Sequence, residues 1–222
     1  MDDRQIQIVL ESFWPLLKAG VIYTIPLTLI TFTLGLIISI ITALIRLSSW
    51  TVLKYIASIY VWIIRGTPLL VQLFIIFYGL PSVGITLSPY LSAIIGLSLS
   101  VGAYGSEIVR AAILSIQKGQ WEAAYSLGMT RLQALRRIIL PQAARVSVPP
   151  FGNSFISLVK DTSLVSIITF VEMFRTSQQI VAFTYEPLIV YSEVAVIYLV
   201  FSSILSVLQN YVEKRLERFS AS

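Results

Sequence analysis

Residues 117–141 read QKGQWEAAYSLGMTRLQALRRIILP, and this polar interruption of an apolar chain decides the architecture. From Gln117 to Arg145 the chain carries Lys118, Glu122, Arg131, Arg136, Arg137 and Arg145, too many charges for a stretch that crosses hydrocarbon. Gln120 to Leu127 predicts a short helix, Gly128 suits the left-handed position that ends one, and Thr130 with Gln133 spells a capping box that starts the next. The expected product is helix, sharp turn and helix on one side of a membrane.

The sequence on both sides of this segment reads as membrane spans. Nothing is charged between Lys18 and Arg46, so residues 19–45 form span one. The uncharged stretch from Gly66 to Ser106 is too long for one helix and holds Pro81, Gly84 and Pro89, which divides it into span two (59–80) and span three (89–113). After the polar segment, 146–159 would be only about 21 Å long as a helix, so span four (146–171) must include Lys160 and Asp161 or be broken near 160. Span five covers 188–208, entered through Pro187, and a charged tail follows over 209–222. Within 1–18, Ile6, Val9, Leu10, Phe13, Trp14 and Leu17 recur on one helical face. That pattern fits either an external interfacial helix or a first turn of span one.

Composition agrees with one all-α integral membrane domain over 1–222. Hydrophobic residues make up 56% and charged residues 12%, against about a quarter charged in soluble domains. Cys and His are absent, which removes disulfides, thiol and imidazole chemistry and the usual metal ligands; no catalytic or metal site is expected. The net charge of +5 is spread among apolar spans, so it points to membrane topology and not to nucleic acid. The acidic start Met1-Asp2-Asp3 lacks a signal-peptide n-region, so the first span is expected to be retained. In five alternating spans only Arg4, Lys18, Lys160 and Arg175 fall opposite the other twelve basic residues, which places the N-terminus outside and the C-terminus in the cytoplasm.

Three motifs carry a family resemblance that covers nearly the whole chain. Glu122-Ala123-Ala124, three residues, Gly128-Met129, then Ile138-Ile139-Leu140-Pro141 resembles the EAA loop of bacterial ABC importer permeases. Arg65-Gly66-Thr67-Pro68-Leu69-Leu70 with Gln72-Leu73-Phe74 is similar to the signature of the polar amino acid permeases within that superfamily; alone it also reads as a helix start with Arg65 snorkelling. Asn153 to Leu164, with Lys160-Asp161-Thr162-Ser163, is similar to the same family. The resemblance implies a type I ABC importer permease fold in the bacterial cytoplasmic membrane. It implies a dimer, identical chains favoured, with two ATP-binding cassette subunits and an extracytoplasmic solute-binding protein. It also implies polar amino acid cargo, nearest the L-cystine type, with arginine, histidine and glutamine close. Glu122, Ala123, Ala124, Gly128 and Met129 would then couple to the ATPase. The chain has no GxxxxGK[ST] loop, so it is read as a non-enzyme with no cofactor of its own, ATP and Mg²⁺ being held by partner subunits.

Asn153, Ser157 and Asp161 are four apart and stack on one helical face, a stripe expected to face the bundle interior. Charges at membrane depth usually mark a pathway, which nominates Asp161, with Asn153, Ser157, Gln72 and Glu172, for substrate contact. The other reading is that Lys160 and Asp161 pair, or lie at the outer interface, and only hold the fold. Glu107 is expected to pair with Arg110, and Glu193 is a lesser candidate. Two small-residue stripes are expected to pack helix on helix: Thr24, Thr28, Thr31, Gly35, Ser39 and Thr42, and Ser92, Gly96, Ser100 and Ala103. An ion-coupled secondary carrier or channel, with Asp161 and Glu193 as a relay, is the alternative function.

Overall fold

In the computed structural model, which describes residues 2–218 and side chains as far as 215, every regular element among the described residues is helical. Met1 and tail residues 219–222, and the side chains of Leu216, Glu217 and Arg218, lie outside the described part. Three helical runs are long and apolar enough to cross a membrane: Asp3–Arg46, Pro89–Ser115 and Pro187–Arg215. Two bent pairs raise the number to five if each pair is one span.

The first run joins α1 (Asp3–Ala19) to α2 (Ile25–Arg46) through a π-helical turn at Gly20–Thr24. Of the apolar face expected over 1–18, Leu17 packs against the bundle and most of the rest stays exposed. Ile8, Ser12, Leu16 and Ala19 are buried instead, while Leu10 and Trp14 stand 73% and 68% exposed. Segment 1–18 is thus continuous with span one. Three turns of π-helix recur along the chain, at Gly20–Thr24, Ile75–Gly79 and Leu135–Ile139, and each ends two residues before a proline: Pro26, Pro81 and Pro141. The cause is physical. A proline ring crowds the carbonyl four residues back, and a one-residue slip moves that carbonyl aside while the preceding residue bonds five back, as Ile25, Leu80 and Leu140 do to Gly20, Ile75 and Leu135.

Span two is not the single rod expected over 59–80. α3 (Thr51–Gly66) meets α4 (Leu69–Phe74), with its π and 3₁₀ extension to Val83, at 107°. Pro68 forces Thr67 into extended backbone (φ −122°, ψ 147°) and ends α3 there. The freed carbonyls are met by Gln72, whose amide nitrogen lies 2.9 Å from the Ile64 carbonyl and 3.1 and 3.0 Å from the Thr67 carbonyl and hydroxyl. Arg65-Gly66-Thr67-Pro68 and Gln72 together build a corner.

α5 (Pro89–Ser115) is the centre of the bundle, packed most extensively against α2. All six small residues expected on the first stripe are buried. A Cβ added at Gly35 would meet Val101 at 2.5 Å, one at Gly102 would meet Ile38 at 2.5 Å, and one at Gly105 the Ser39 hydroxyl at 2.2 Å. The α5 surface against α2 is therefore Val101, Gly102 and Gly105; Gly96 of the expected stripe packs on Leu73 of α4 instead.

α6 (Lys118–Ser126) and α7 (Arg131–Ala134) follow, and α7 runs on through the π turn into α8 (Leu140–Asp161), which keeps Pro149 and Pro150 inside it. Span four changes from α to 3₁₀ at Thr162–Ile168, one residue past the acid expected at its break. A further helix, α9 (Met173–Thr184), bends 52° from that line and precedes α10 (Pro187–Arg218).

Candidate functional site

The hairpin over 117–141 is built as its sequence dictates. Gly128 takes φ +74°, its N–H donates to the Tyr125 carbonyl at 2.9 Å, and the Met129 N–H to the Ala124 carbonyl at 3.1 Å. Those two bonds form the paired closure that a left-handed C′ residue allows, and Met129 contributes through its backbone. Thr130 and Gln133 complete a reciprocal capping box at α7. Ala124 is buried, while Glu122 and Ala123 are exposed on the outer side of α6.

The hairpin is fixed to the membrane helices at several points. Ile139 and Ala143 are buried with Ala43 of α2 and Val109, Ala112 and Ile113 of α5, and Trp121 and Leu135 pack against the same cluster. Gln142 donates to Gln120 at 3.2 Å, and Arg131 to the Leu47 carbonyl at the end of α2 at 3.2 Å. The hairpin is thereby joined to α2, α5 and α8 through close-packed side chains.

Just above it sits a charge cluster that the sequence shows only in part. Glu107 binds Arg110 through Nε and Nη2 at 2.9 and 2.7 Å, the expected i,i+3 pair. Its other oxygen accepts from Arg46 of α2, and Arg65 at the end of α3 lies 3.8 Å from it. One carboxylate joins three helices. Arg46 and Arg65 are each the last basic group before a helix end, but nothing in their spacing announces that they converge.

The stripe Asn153, Ser157, Asp161 lies along one side of α8 and is exposed in the single chain, not enclosed within its own bundle. Asn153 Oδ1 accepts from Gln209 of α10 at 3.2 Å. Among the described residues no ion pair within 4.0 Å joins Lys160 to Asp161, and neither side chain has a hydrogen-bond partner. The two diverge: Lys160 lines a hollow of about 480 Å³ with Ser163, Tyr191, Tyr198 and Ser202, and Asp161 does not. An apolar groove of about 660 Å³ is lined by residues of α2, α5, α8 and α10.

Two residues nominated for substrate contact are elsewhere. Glu172 is 0% exposed and caps α9, accepting from the N–H groups of Phe174 and Arg175 at 2.8 and 2.6 Å and from the Tyr198 hydroxyl at 3.0 Å. Gln72 is buried at the corner described above, its amide N–H groups occupied. Both are engaged within the chain's own fold, at places apart from the α8 stripe. An acid immediately ahead of a helical run was the legible signal for Glu172. Glu193 accepts from the Ser12 hydroxyl and ties α10 to α1.

Comparison with known proteins places these features in context. The family model for the inner membrane component of binding-protein-dependent transport systems matches residues 35–218. The L-cystine transport system permease protein TcyB of Bacillus subtilis (strain 168) is 54% identical over 215 residues, 96% of this chain and 92% of that protein. The glutamine transport system permease protein GlnP of Escherichia coli (strain K12) is 35% identical, covering 93% of this chain and 97% of that one. A crystal structure of an amino acid ABC transporter with histidines superposes at TM-score 0.88 with 38% identity, over 93% of this chain and 96% of that one. The methionine ABC transporter MetNI, in an inward-facing conformation, shares the fold alone at TM-score 0.69 and 20% identity, over 97% of this chain and 99% of that one.

Proposed function

The chain belongs to the family of binding-protein-dependent transport system inner membrane components, and from that membership we propose that it is the permease of an ATP-driven importer carrying L-cystine into a bacterial cell. It is a permease component of an amino acid ABC transporter, and its partners are a second permease, ATPase subunits and a substrate-binding protein. The observation that carries the mechanism is the exposed face of α6, mounted on a hairpin whose inner face is packed into α2, α5 and α8.

The proposed cycle uses these parts in order. Glu122 and Ala123 seat α6 in the ATP-binding subunit, while Gly128 and Met129 hold the turn so that α6 moves as one piece with α7 and α8. ATP binding draws the two ATPase subunits together and tilts the helices attached to α6, opening the cavity outward; hydrolysis returns it inward. Each state is an alternative packing of the same helices. Two copies of this chain, with α8 stripes facing each other, form the path. Asp161 meets the ammonium groups of the cargo, and Asn153 and Ser157 supply hydrogen bonds. The N-terminus lies outside and the hairpin and tail in the cytoplasm. Cystine is chosen over arginine, histidine and glutamine because the 54% identity to the cystine permease extends along 96% of the chain.

The test is uptake of labelled L-cystine into vesicles holding the assembled complex and its receptor. Uptake that needs internal ATP, persists without ion gradients and is little reduced by excess arginine, histidine or glutamine supports the proposal. Uptake that follows an ion gradient without ATP identifies a secondary carrier instead and refutes it.

A further inference from the structure

We infer that Arg65, with Arg46 and Arg110, holds the phosphate of an anionic phospholipid at the end of the bundle that carries the hairpin. The inference starts from an imbalance. Three guanidinium groups surround the single carboxylate of Glu107, so two positive charges are unmatched. Both carboxylate oxygens are occupied, one by Arg46 and the other by the two-point contact from Arg110. Arg65 is left at 3.8 Å, and among the described residues its guanidinium donates no hydrogen bond.

The surroundings suit an oxyanion approaching from the membrane. The Arg65 side chain is 44% exposed, its guanidinium carbon lies 5.4 Å from the centre of the Tyr104 ring, and a side chain added at its neighbour Gly66 would meet nothing within 4 Å. The planar fork therefore lies over an aromatic ring and remains partly open to its surroundings. Such a fork matches two oxygens of a phosphate diester better than a single charge would. Trp62, Ile59, Ile63 and Tyr104 are exposed on the same elements, an apolar and aromatic surface of the kind that sits between acyl chains and headgroups. Basic pockets between membrane helices are a known setting for anionic headgroups. A substrate carboxylate or inorganic phosphate offers similar oxygens; the adjoining apolar surface favours a lipid, whose tails would cover it.

The experiment measures lipid retained by the intact complex, purified with its partner subunits and analysed by native mass spectrometry after equilibration with phosphatidylglycerol or phosphatidylcholine of equal chain length. Wild type should retain phosphatidylglycerol in preference. Arg65→Gln should lower that retention about fivefold, the loss of one cation facing an anionic headgroup, and Arg65→Lys should restore part of it. Equal retention of the two lipids by wild type overturns the inference, a comparison that needs no variant to fold. So does unchanged phosphatidylglycerol retention in Arg65→Gln, or full displacement of the lipid by excess inorganic phosphate. The readout is independent of transport, so this inference and the transport proposal stand or fall separately.

Discussion

Replacing Gly128 by alanine should loosen the hairpin, whereas the same replacement at Gly119, nine residues earlier on the same short segment, should tighten it. Neither glycine has an atom within 4 Å of where a Cβ would go, so sterics with neighbours cancel from the comparison. What differs is backbone. Gly128 sits at φ +74°, where an L side chain costs roughly 1–2 kcal/mol, offset by about 0.4–1 kcal/mol from the stiffer unfolded chain. Gly119 is in the first turn of α6, where alanine gains up to about 1 kcal/mol over glycine. The two variants should therefore differ by roughly 2 kcal/mol in the stability of this turn, near thirtyfold in its opening equilibrium. Amide hydrogen exchange over 120–129 reads that equilibrium directly, through the Gly128 and Met129 N–H groups that close the turn. Equal exchange in the two variants would refute the assignment of Gly128 as the residue that fixes the angle between α6 and α7.

Three further outcomes are expected. Gly105→Ala places a Cβ 2.2 Å from the Ser39 hydroxyl and 2.9 Å from Phe151, and should cost about 1–3 kcal/mol by forcing α2 from α5; an unchanged melting temperature of the purified chain would contradict that packing. Glu107→Gln removes the negative charge to which Arg46 and Arg110 donate and which Arg65 faces, and should destabilise by about 1.5–3 kcal/mol, read as a lower midpoint in thermal unfolding by tryptophan fluorescence. Asp161→Asn and Glu172→Ala should separate by assay: the first leaves melting unchanged and weakens uptake, while the second loses a helix cap, worth about 0.5–2 kcal/mol, and lowers the melting temperature. If Asp161→Asn transports as well as wild type, the α8 stripe is not the path.

Much of this structure is local, and local features were legible. Gly128, the Thr130–Gln133 box and the small face from Thr24 to Thr42 act through neighbours three or four residues away or through one helical face, which is the information a sequence period carries. Three π turns, each ending two residues ahead of a proline, are local too but were not read from the sequence, because proline content alone reads first as a break. The features that escaped depend on distant parts meeting. Arg46, Arg65 and Glu107 lie far apart in the chain, and only the fold of α2 and α3 against α5 brings them to one point. The corner at Gly66–Thr67–Pro68 escaped for a different reason: an uncharged run predicts burial in hydrocarbon but says nothing of direction, and a 107° turn costs no charge. The backbone partners of Glu172 and Gln72 were not legible, because a polar residue at membrane depth can satisfy groups of its own chain as well as a ligand.

The central claim is that the exposed side of α6 is where a separate ATPase attaches. Ala123 is exposed there with its side chain clear of the chain's own core, so Ala123→Arg alters the contact and leaves the bundle intact. Co-purification of the ATP-binding subunit with this variant measures the claim most directly. The ATPase should be lost while the permease still purifies as a folded chain; an ATPase retained at wild-type amount, with uptake undiminished, would contradict the account.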